Sequence, residues 1–308
     1  MPTTADQGFF KSGLVQVILI FGATGQVGWE LQRSCAPLRG LQVLDRASAP
    51  LDDAQELDRL LRDTRPQALI NAAAYTAVDK AEEEPESVFA VNATAPRIMA
   101  GVARDLDIPF VHFSSDYVFS GSKSGSYTES DAADPLSAYG RSKLAGDEAI
   151  LASGANAVIL RTSWVYSARG HNFLKTMLRL GRERESLRVV ADQVGAPTSA
   201  ELLADVAAHV LKLLLEGRAL RGVYHCVAAG ETTWHGFACH IFEQAALLGA
   251  ELKITPQQVQ AITTTEYPTP ARRPLNSRLD CSKLERTVGL QLPPWQWHVN
   301  RTLEELLA

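Results

Sequence analysis

Tyr139 and Lys143 stand four residues apart in the run Ser137-Ala-Tyr-Gly-Arg-Ser-Lys143. On a helix that spacing sets a phenol and an ammonium on one face, in neighbouring turns. A phenol with its ordinary pKa of about 10 is a poor proton donor at neutral pH. A cation beside it favours the phenolate, so the expectation is that Lys143 lowers the Tyr139 pKa and makes the hydroxyl a usable acid. On its own a Tyr-x-x-x-Lys pair is common. It gains weight here from a nucleotide-binding signature near the start of the chain.

That signature is Val17-Ile-Leu-Ile-Phe-Gly22-Ala-Thr-Gly25-Gln-Val-Gly28-Trp-Glu-Leu-Gln32. A β-rich apolar stretch ends at Gly22 and an amphipathic segment opens after Gly25. Strand, glycine turn, helix is the context that a dinucleotide pyrophosphate requires. Gly22 suits a tight turn, Gly25 a close approach of phosphate to backbone, and Gly28 close packing of helix on strand. The helix N-terminus then stabilises the negative charge. The spacing is G-x-x-G-x-x-G, not the G-x-G-x-x-G of simple dehydrogenases. A second strand, Leu41-Gln-Val-Leu-Asp45, ends in an acid 23 positions after Gly22, near the distance expected for a ribose contact.

Composition agrees. The 308 residues are 46% hydrophobic and 21% charged, enough for a large core in one or two domains. The net charge of −5, with scattered Lys and Arg, argues against nucleic acid or an anionic membrane as partner. Cys35, Cys226, Cys239 and Cys281 form no C-x-x-C and read as free thiols in a reducing compartment, hence a cytoplasmic protein. No apolar run approaches the roughly 18 residues of a membrane span. Residues 1–13 lack the apolar core of a signal peptide and read as a flexible extension.

Strands and helices alternate along the chain. A helix is expected over Asp53 to Asp63, a strand over Gln67 to Asn71, a helix over Glu86 to Arg104 and a strand over Pro109 to Phe113. A long Ser-, Gly- and Asp-rich loop, Ser114 to Pro135, leads to the helix carrying Tyr139 and Lys143, and then to a strand over Ala155 to Arg161. This rhythm predicts an α/β fold with a Rossmann-type doubly wound parallel sheet, its ligands at the carboxyl ends of the strands. Residues 14–165 form the expected dinucleotide-binding domain, with returning segments from the C-terminal half. Residues 166–308 form a smaller interleaved domain that mainly binds substrate. Helices are expected there over Phe173 to Arg184 and Ala200 to Leu215, with a short strand over Gly222 to Cys226.

The chain resembles the extended short-chain dehydrogenase/reductase family, and within it the branch acting on 4-dehydro sugars carried by dTDP. The resemblance runs through almost everything from Val17 onward. It includes Asn71-Ala-Ala-Ala-Tyr-Thr-Ala-Val-Asp-Lys-Ala-Glu82, Ser114-Ser-Asp-Tyr-Val-Phe119 and Arg161-Thr-Ser-Trp-Val-Tyr166. It continues through Asp192-Gln-Val-Gly-Ala-Pro-Thr198 and Tyr267-Pro-Thr-Pro270. It implies that a nicotinamide cofactor, NADPH or NADH, delivers hydride to the C4 ketone of dTDP-4-dehydro-L-rhamnose, the last step in making dTDP-L-rhamnose for cell-surface polysaccharide.

By the same resemblance Tyr139 protonates the C4 oxygen, and Lys143 tunes the phenol and hydrogen-bonds the nicotinamide ribose. Ser115 orients the ketone. Many relatives carry Thr at this position, and Ser lacks the methyl that limits its rotamers, so a looser alignment is expected. Cofactor contacts are implied at Gly22, Thr24, Gly25, Gln26, Val27 and Gly28, at Ala74, Tyr75 and Thr76, and at Tyr139 and Lys143. Asp45 and Arg46 flank the adenosine ribose. Asp45 favours the free hydroxyl of NADH and Arg46 the phosphate of NADPH, so dual use biased to NADPH is expected. Asp116, Tyr117 and Trp164 are assigned to the sugar pocket with Asn172, and Arg273 to the substrate pyrophosphate. Glu30, Glu201 and Glu305 match positions where some relatives hold Mg²⁺ between subunits of a homodimer, although such residues on helices are ordinarily solvated. His225, His235 and His240 lack ligand spacing and read as packing residues.

Two other readings stay open. One is a nucleotide-sugar epimerase or dehydratase that restores its NAD. The other is a regulatory binding module of the same fold without activity.

Overall fold

All four residues of β1 (Ile18–Phe21) are buried, because the strand is covered on both faces. Ile18 and Ile20 join one apolar layer with Leu31 and Cys35 of α1 (Gln26–Cys35), while Leu19 and Phe21 pack into the opposite layer. In the computed structural model residues 17–38 and 40–308 are described, so the extension expected over residues 1–13 lies outside the described residues.

The first half continues with β2 (Leu41–Leu44), α2 (Ala54–Thr64), β3 (Ala68–Asn71), α3 (Pro85–Phe89) and α4 (Ala95–Asp105). It then runs through β4 (Phe110–Ser115), α5 (Ala138–Ser153) and β5 (Ala157–Thr162). Asp53 starts α2 by accepting hydrogen bonds from the backbone N–H groups of Gln55 and Glu56, and Ser137 starts α5 by accepting from Gly140. The helix expected from Glu86 to Arg104 is one run interrupted by a π turn at Ala90–Thr94. The loop expected from Ser114 begins later, since Ser114 and Ser115 complete β4 and Asp116–Val118 form a 3₁₀ turn.

The second half holds β6 (Val165–Tyr166), α6 (Phe173–Glu183), β7 (Leu187–Val190), β8 (Val194–Gly195), β9 (Thr198–Ser199) and α7 (Ala200–Leu215). After these come β10 (Gly222–His225), β11 (Thr232–Thr233), α8 (Trp234–Leu247), β12 (Val259–Ile262), α9 (Ser282–Val288) and α10 (Trp295–Leu307).

The central sheet has six parallel strands in the order β10-β5-β4-β3-β1-β2. From β1 the chain runs outward to β2, then returns to lay β3 on the other side. A crevice opens at the carboxyl ends of β1 and β3, where strand order reverses. β10 comes back from the second half to pair with β5, Val223 opposite Ile159. The fold is the doubly wound α/β fold expected, with helices on both faces.

One ion pair lies inside it. Arg161 of β5 donates from Nε to Asp147 Oδ2 of α5 at 2.9 Å, both side chains almost fully buried, and its guanidinium lies over the Phe119 ring. Removing one partner of such a pair strands the other charge. Arg161→Met is therefore expected to cost about 3–5 kcal/mol, seen as a lower urea midpoint with an unchanged slope.

Candidate active site

The turn after β1 is shaped by two glycines. Gly22 has φ +95°, and a Cβ there would lie 2.8 Å from Ala73 N and 2.9 Å from the Ala72 carbonyl carbon. The turn thus presses on the backbone that follows β3. A Cβ on Gly28 would run into the carbonyl oxygen of Gly22, so glycine is what lets α1 begin directly on the turn. Gly25 N–H closes the turn on Gly22 O at 2.9 Å. Thr24 and Gly25 are exposed, and Gly25 sits at the N-cap of α1 with no side chain bonded to the first N–H groups. Those donors and the helix dipole suit a pyrophosphate.

Val27 and Gln26 follow, both half-buried. Gln26 Oε1 accepts from Asn172 Nδ2 at 2.8 Å and from Ser167 Oγ at 3.2 Å, and the Arg169 guanidinium stacks 3.7 Å above the Trp29 ring. Asn172, expected at the sugar, is thus tied to Gln26 at the start of α1. Its oxygen caps α6 by accepting from Lys175 N–H, and its amide nitrogen is taken by Gln26 and Ser167 O.

Asp45 closes β2 into a tight turn, its Oδ1 accepting from Ala47 N–H, Ser48 N–H and Ser48 Oγ. The Ser48 bonds hold its carboxyl below the usual range. Arg46 extends into solvent, 88% exposed, with a 3.4 Å pair to Asp52 that is worth little at such exposure. On the far side of the crevice, Ala74, Tyr75 and Thr76 follow β3. Tyr75 OH donates to Glu84 at 2.8 Å. Its backbone is gripped by Asn92, which accepts from Tyr75 N–H at 2.8 Å and donates to Tyr75 O at 3.1 Å and to Ser142 Oγ at 3.0 Å. Asn92 lies in the π turn, a distortion that recurs at functional sites.

Tyr139, Lys143 and Asp147 occupy one stripe of α5. Ser115 Oγ accepts from Tyr117 N–H at 3.2 Å, donates to Asp116 Oδ1 at 3.0 Å, and shares a hydrogen bond with Tyr139. Tyr117 meets Tyr139 edge-on, ring centroids 5.4 Å apart. Burial pushes the Asp116 carboxyl up to about 6, against hydrogen bonds from Ser277 and Ser115.

The phenol differs from expectation. Burial pushes Tyr139 up to about 12, with the Ser115 hydrogen bond pulling the other way. The reason is where Lys143 points. Its Nζ donates to Phe113 O at 2.7 Å and meets His112 Nε2 at 3.3 Å, and burial brings the amine down to about 8 against the pull of Asp147.

Trp164 has φ +48°, a strained value for a non-glycine residue. Its ring is stacked on Trp234, centroids 3.7 Å apart, and the Trp234 Nε1–H donates to Gln193. Arg273 is already forked onto Asp79, with Nη1 and Nη2 donating to Oδ1 at 2.9 Å and Oδ2 at 2.7 Å. The three glutamates do not form a site within the chain. Arg33 pairs with Glu30 and approaches Glu201, Arg301 pairs with Glu201, and Glu305 is exposed on α10. Among the described residues no three potential ligands cluster. His225, His235 and His240 each bond to an oxygen of the chain, as packing residues do, and all four cysteines are unpaired.

The RmlD substrate binding domain model matches residues 16–308. The chain belongs to that family. This RmlD-family chain is 47% identical over 295 residues to a dTDP-4-dehydrorhamnose reductase of Escherichia coli K12, covering 94% of this chain and 98% of the relative. It is 44% identical to one from Burkholderia thailandensis, covering 94% and 99%. A crystal structure of a dTDP-4-dehydrorhamnose reductase from Bacillus anthracis in complex with NADP superposes with a TM-score of 0.85 at 32% identity, covering 95% of this chain and all of that one.

Asn92, His112 and Trp234 were not legible as site residues of this family member, because each acts through contacts distant in sequence. Replacing Asn92 by Leu removes two bonds to the half-buried Tyr75 backbone and one to Ser142. Asn92→Leu is expected to lower stability by about 1–3 kcal/mol and to weaken NADPH binding in a fluorescence titration.

Proposed function

We propose that the chain reduces the C4 ketone of dTDP-4-dehydro-L-rhamnose to dTDP-L-rhamnose with NADPH, and less well with NADH. The carrying observation is that Ser115, Tyr139 and Lys143 converge at the carboxyl ends of the same sheet whose Gly22 and Gly28 form the phosphate turn. The high identity to reductases of that name supports the choice of substrate.

The turn fits a dinucleotide pyrophosphate, since Gly25 is exposed at the start of α1 and no side chain caps the first N–H groups of that helix. When bound, NADPH supplies the hydride for C4. The chain's own residues handle the proton and the alignment. Tyr139 remains a neutral phenol at neutral pH, so its proton is in place for the C4 oxygen. An alkoxide is more basic than a phenolate, and the transfer runs downhill even from a phenol near 12. Ser115 keeps the phenol oriented, and Lys143 in its ammonium form stabilises the phenolate that is left and reaches the nicotinamide ribose. Trp164 and Tyr117 supply flat walls for the sugar, with Asp116 as a hydrogen-bond acceptor below them. Because Asp79 neutralises Arg273, we assign that residue to holding the mouth of the site at Thr269–Ala271. Arg46 stands exposed to meet a 2′-phosphate. Residues 14–165 would hold the dinucleotide and 166–308 mainly the sugar nucleotide, in a cytoplasmic homodimer.

Loss of NADPH absorbance on adding dTDP-4-dehydrorhamnose tests the reading. Tyr139→Phe should lower kcat by roughly 10²–10⁴-fold in a protein that still binds NADPH. Wild-type protein that binds NADPH and does not oxidise it would remove the reductase reading. Separately, Arg46→Ala should raise the KM for NADPH about tenfold or more, as expected for a charge-assisted contact, and leave NADH kinetics in place. Equal effects on both cofactors would remove Arg46 from phosphate recognition.

A further inference from the structure

Behind Tyr139 a line of hydrogen bonds runs from one backbone group to another through three side chains. Ala73 N–H donates to Asn71 Oδ1 at 3.0 Å. The Asn71 amide nitrogen faces His112 Nδ1 at 3.2 Å, and His112 Nε2 faces Lys143 Nζ at 3.3 Å. Lys143 then donates to Phe113 O at 2.7 Å. Asn71 and His112 are fully buried and Lys143 nearly so.

The direction of this line is set at its first link. A backbone N–H only donates, so the Asn71 oxygen faces Ala73 and its amide nitrogen faces His112. That nitrogen also only donates, so Nδ1 accepts and the neutral imidazole carries its proton on Nε2. Burial keeps His112 well below its ordinary pKa, hence neutral. Its Nε2–H then points at Lys143. An ammonium has three hydrogens and no lone pair, and cannot accept it. A neutral amine can, while still donating to Phe113 O.

We propose that His112 is a positioning residue for Lys143: fixed as its Nε2–H tautomer by Asn71, it parks the lysine as a neutral amine and releases it toward Tyr139 when the lysine gains a proton. This rests on the reading of Tyr139 and Lys143 as the proton-transfer pair of the reductase. The other polar groups around Lys143 pull in different senses. Asp147, one turn along α5, favours the ammonium, but Arg161 from β5 is bonded to that carboxylate. Tyr139 on the same helix is neutral, and Asp116 acts on it from the turn after β4. Glu82, before α3, is engaged by Ala138 N–H. Burial outweighs these and brings Lys143 down to about 8, so the exchange between parked and working forms falls close to neutral pH. Below that value the ammonium is present and the rate is high. As pH rises through it, the lysine is parked and the rate falls.

Two measurements test this. In ¹⁵N-histidine-labelled wild-type protein above the Lys143 midpoint, the ring nitrogens of His112, assigned through its backbone resonances, should show a protonated Nε2 and a bare Nδ1. The reverse tautomer overturns the proposal, and because no turnover is needed, this result stands apart from the reductase reading. The pH profile of kcat/KM should fall with a midpoint near 8. In His112→Gln, whose amide can turn its oxygen to the ammonium, the midpoint should rise by about one unit, a tenfold change in the ammonium-to-amine ratio. His112→Phe, which has no donor, should move it the same way. A purely structural loss would lower the rate at every pH without moving the midpoint, and an unmoved midpoint in both variants overturns the proposal.

Discussion

The Arg161 guanidinium lies between the Asp147 carboxylate and the face of Phe119, at the point where β5, α5 and the turn after β4 meet. Burying two charges is expensive unless they are closely paired. The pair is therefore satisfied in only one register of α5 against the sheet, because sliding the helix by one residue would leave both charges without their partner. That register puts Tyr139 beside Ser115 and Lys143 beside Phe113 O. The geometry at the reacting end of α5 is inherited from an ion pair two turns away. Its contribution is alignment more than stability.

The same logic of mutual contact runs through the cofactor side. Gly22 lies against Ala72 and Ala73, Gln26 is held by Ser167 and Asn172, and Asn92 fastens the loop after β3 to α5. The crevice is thus built from segments that grip one another across long stretches of chain. The Gly22 contact is steric and the others are hydrogen bonds between half-buried or buried groups, where an unmade bond is costly.

Much of this was legible from local chemistry. The apolar run ending at Gly22 announced a strand, and the glycine spacing after it announced the tight turn from strand to helix that the structure shows. The helix expected from Asp53 was in place, although its capping, like that of Ser137, showed only in the structure. The stripe of Tyr139 and Lys143 followed from helical periodicity alone. What stayed hidden depends on partners far apart in sequence. Nothing local tells that Lys143 turns to His112, that Asp79 meets Arg273, or that Asn172 faces Gln26. The phenol's basicity was misjudged for a related reason. A cation four residues away was visible, whereas its turn toward Phe113 O and the burial of the phenol belong to the assembled site.

The return of β10 to the edge of the sheet has a consequence for how the protein is made. Its partner β5 ends at Thr162, and the strand that covers it begins only at Gly222. A nascent chain still growing through the intervening segment carries β5 as a bare parallel edge, with its N–H and C=O groups open to any extended polypeptide. Parallel pairing across so long a separation is also slow to form. During synthesis that edge of the sheet stays without its partner strand until Gly222–His225 has emerged.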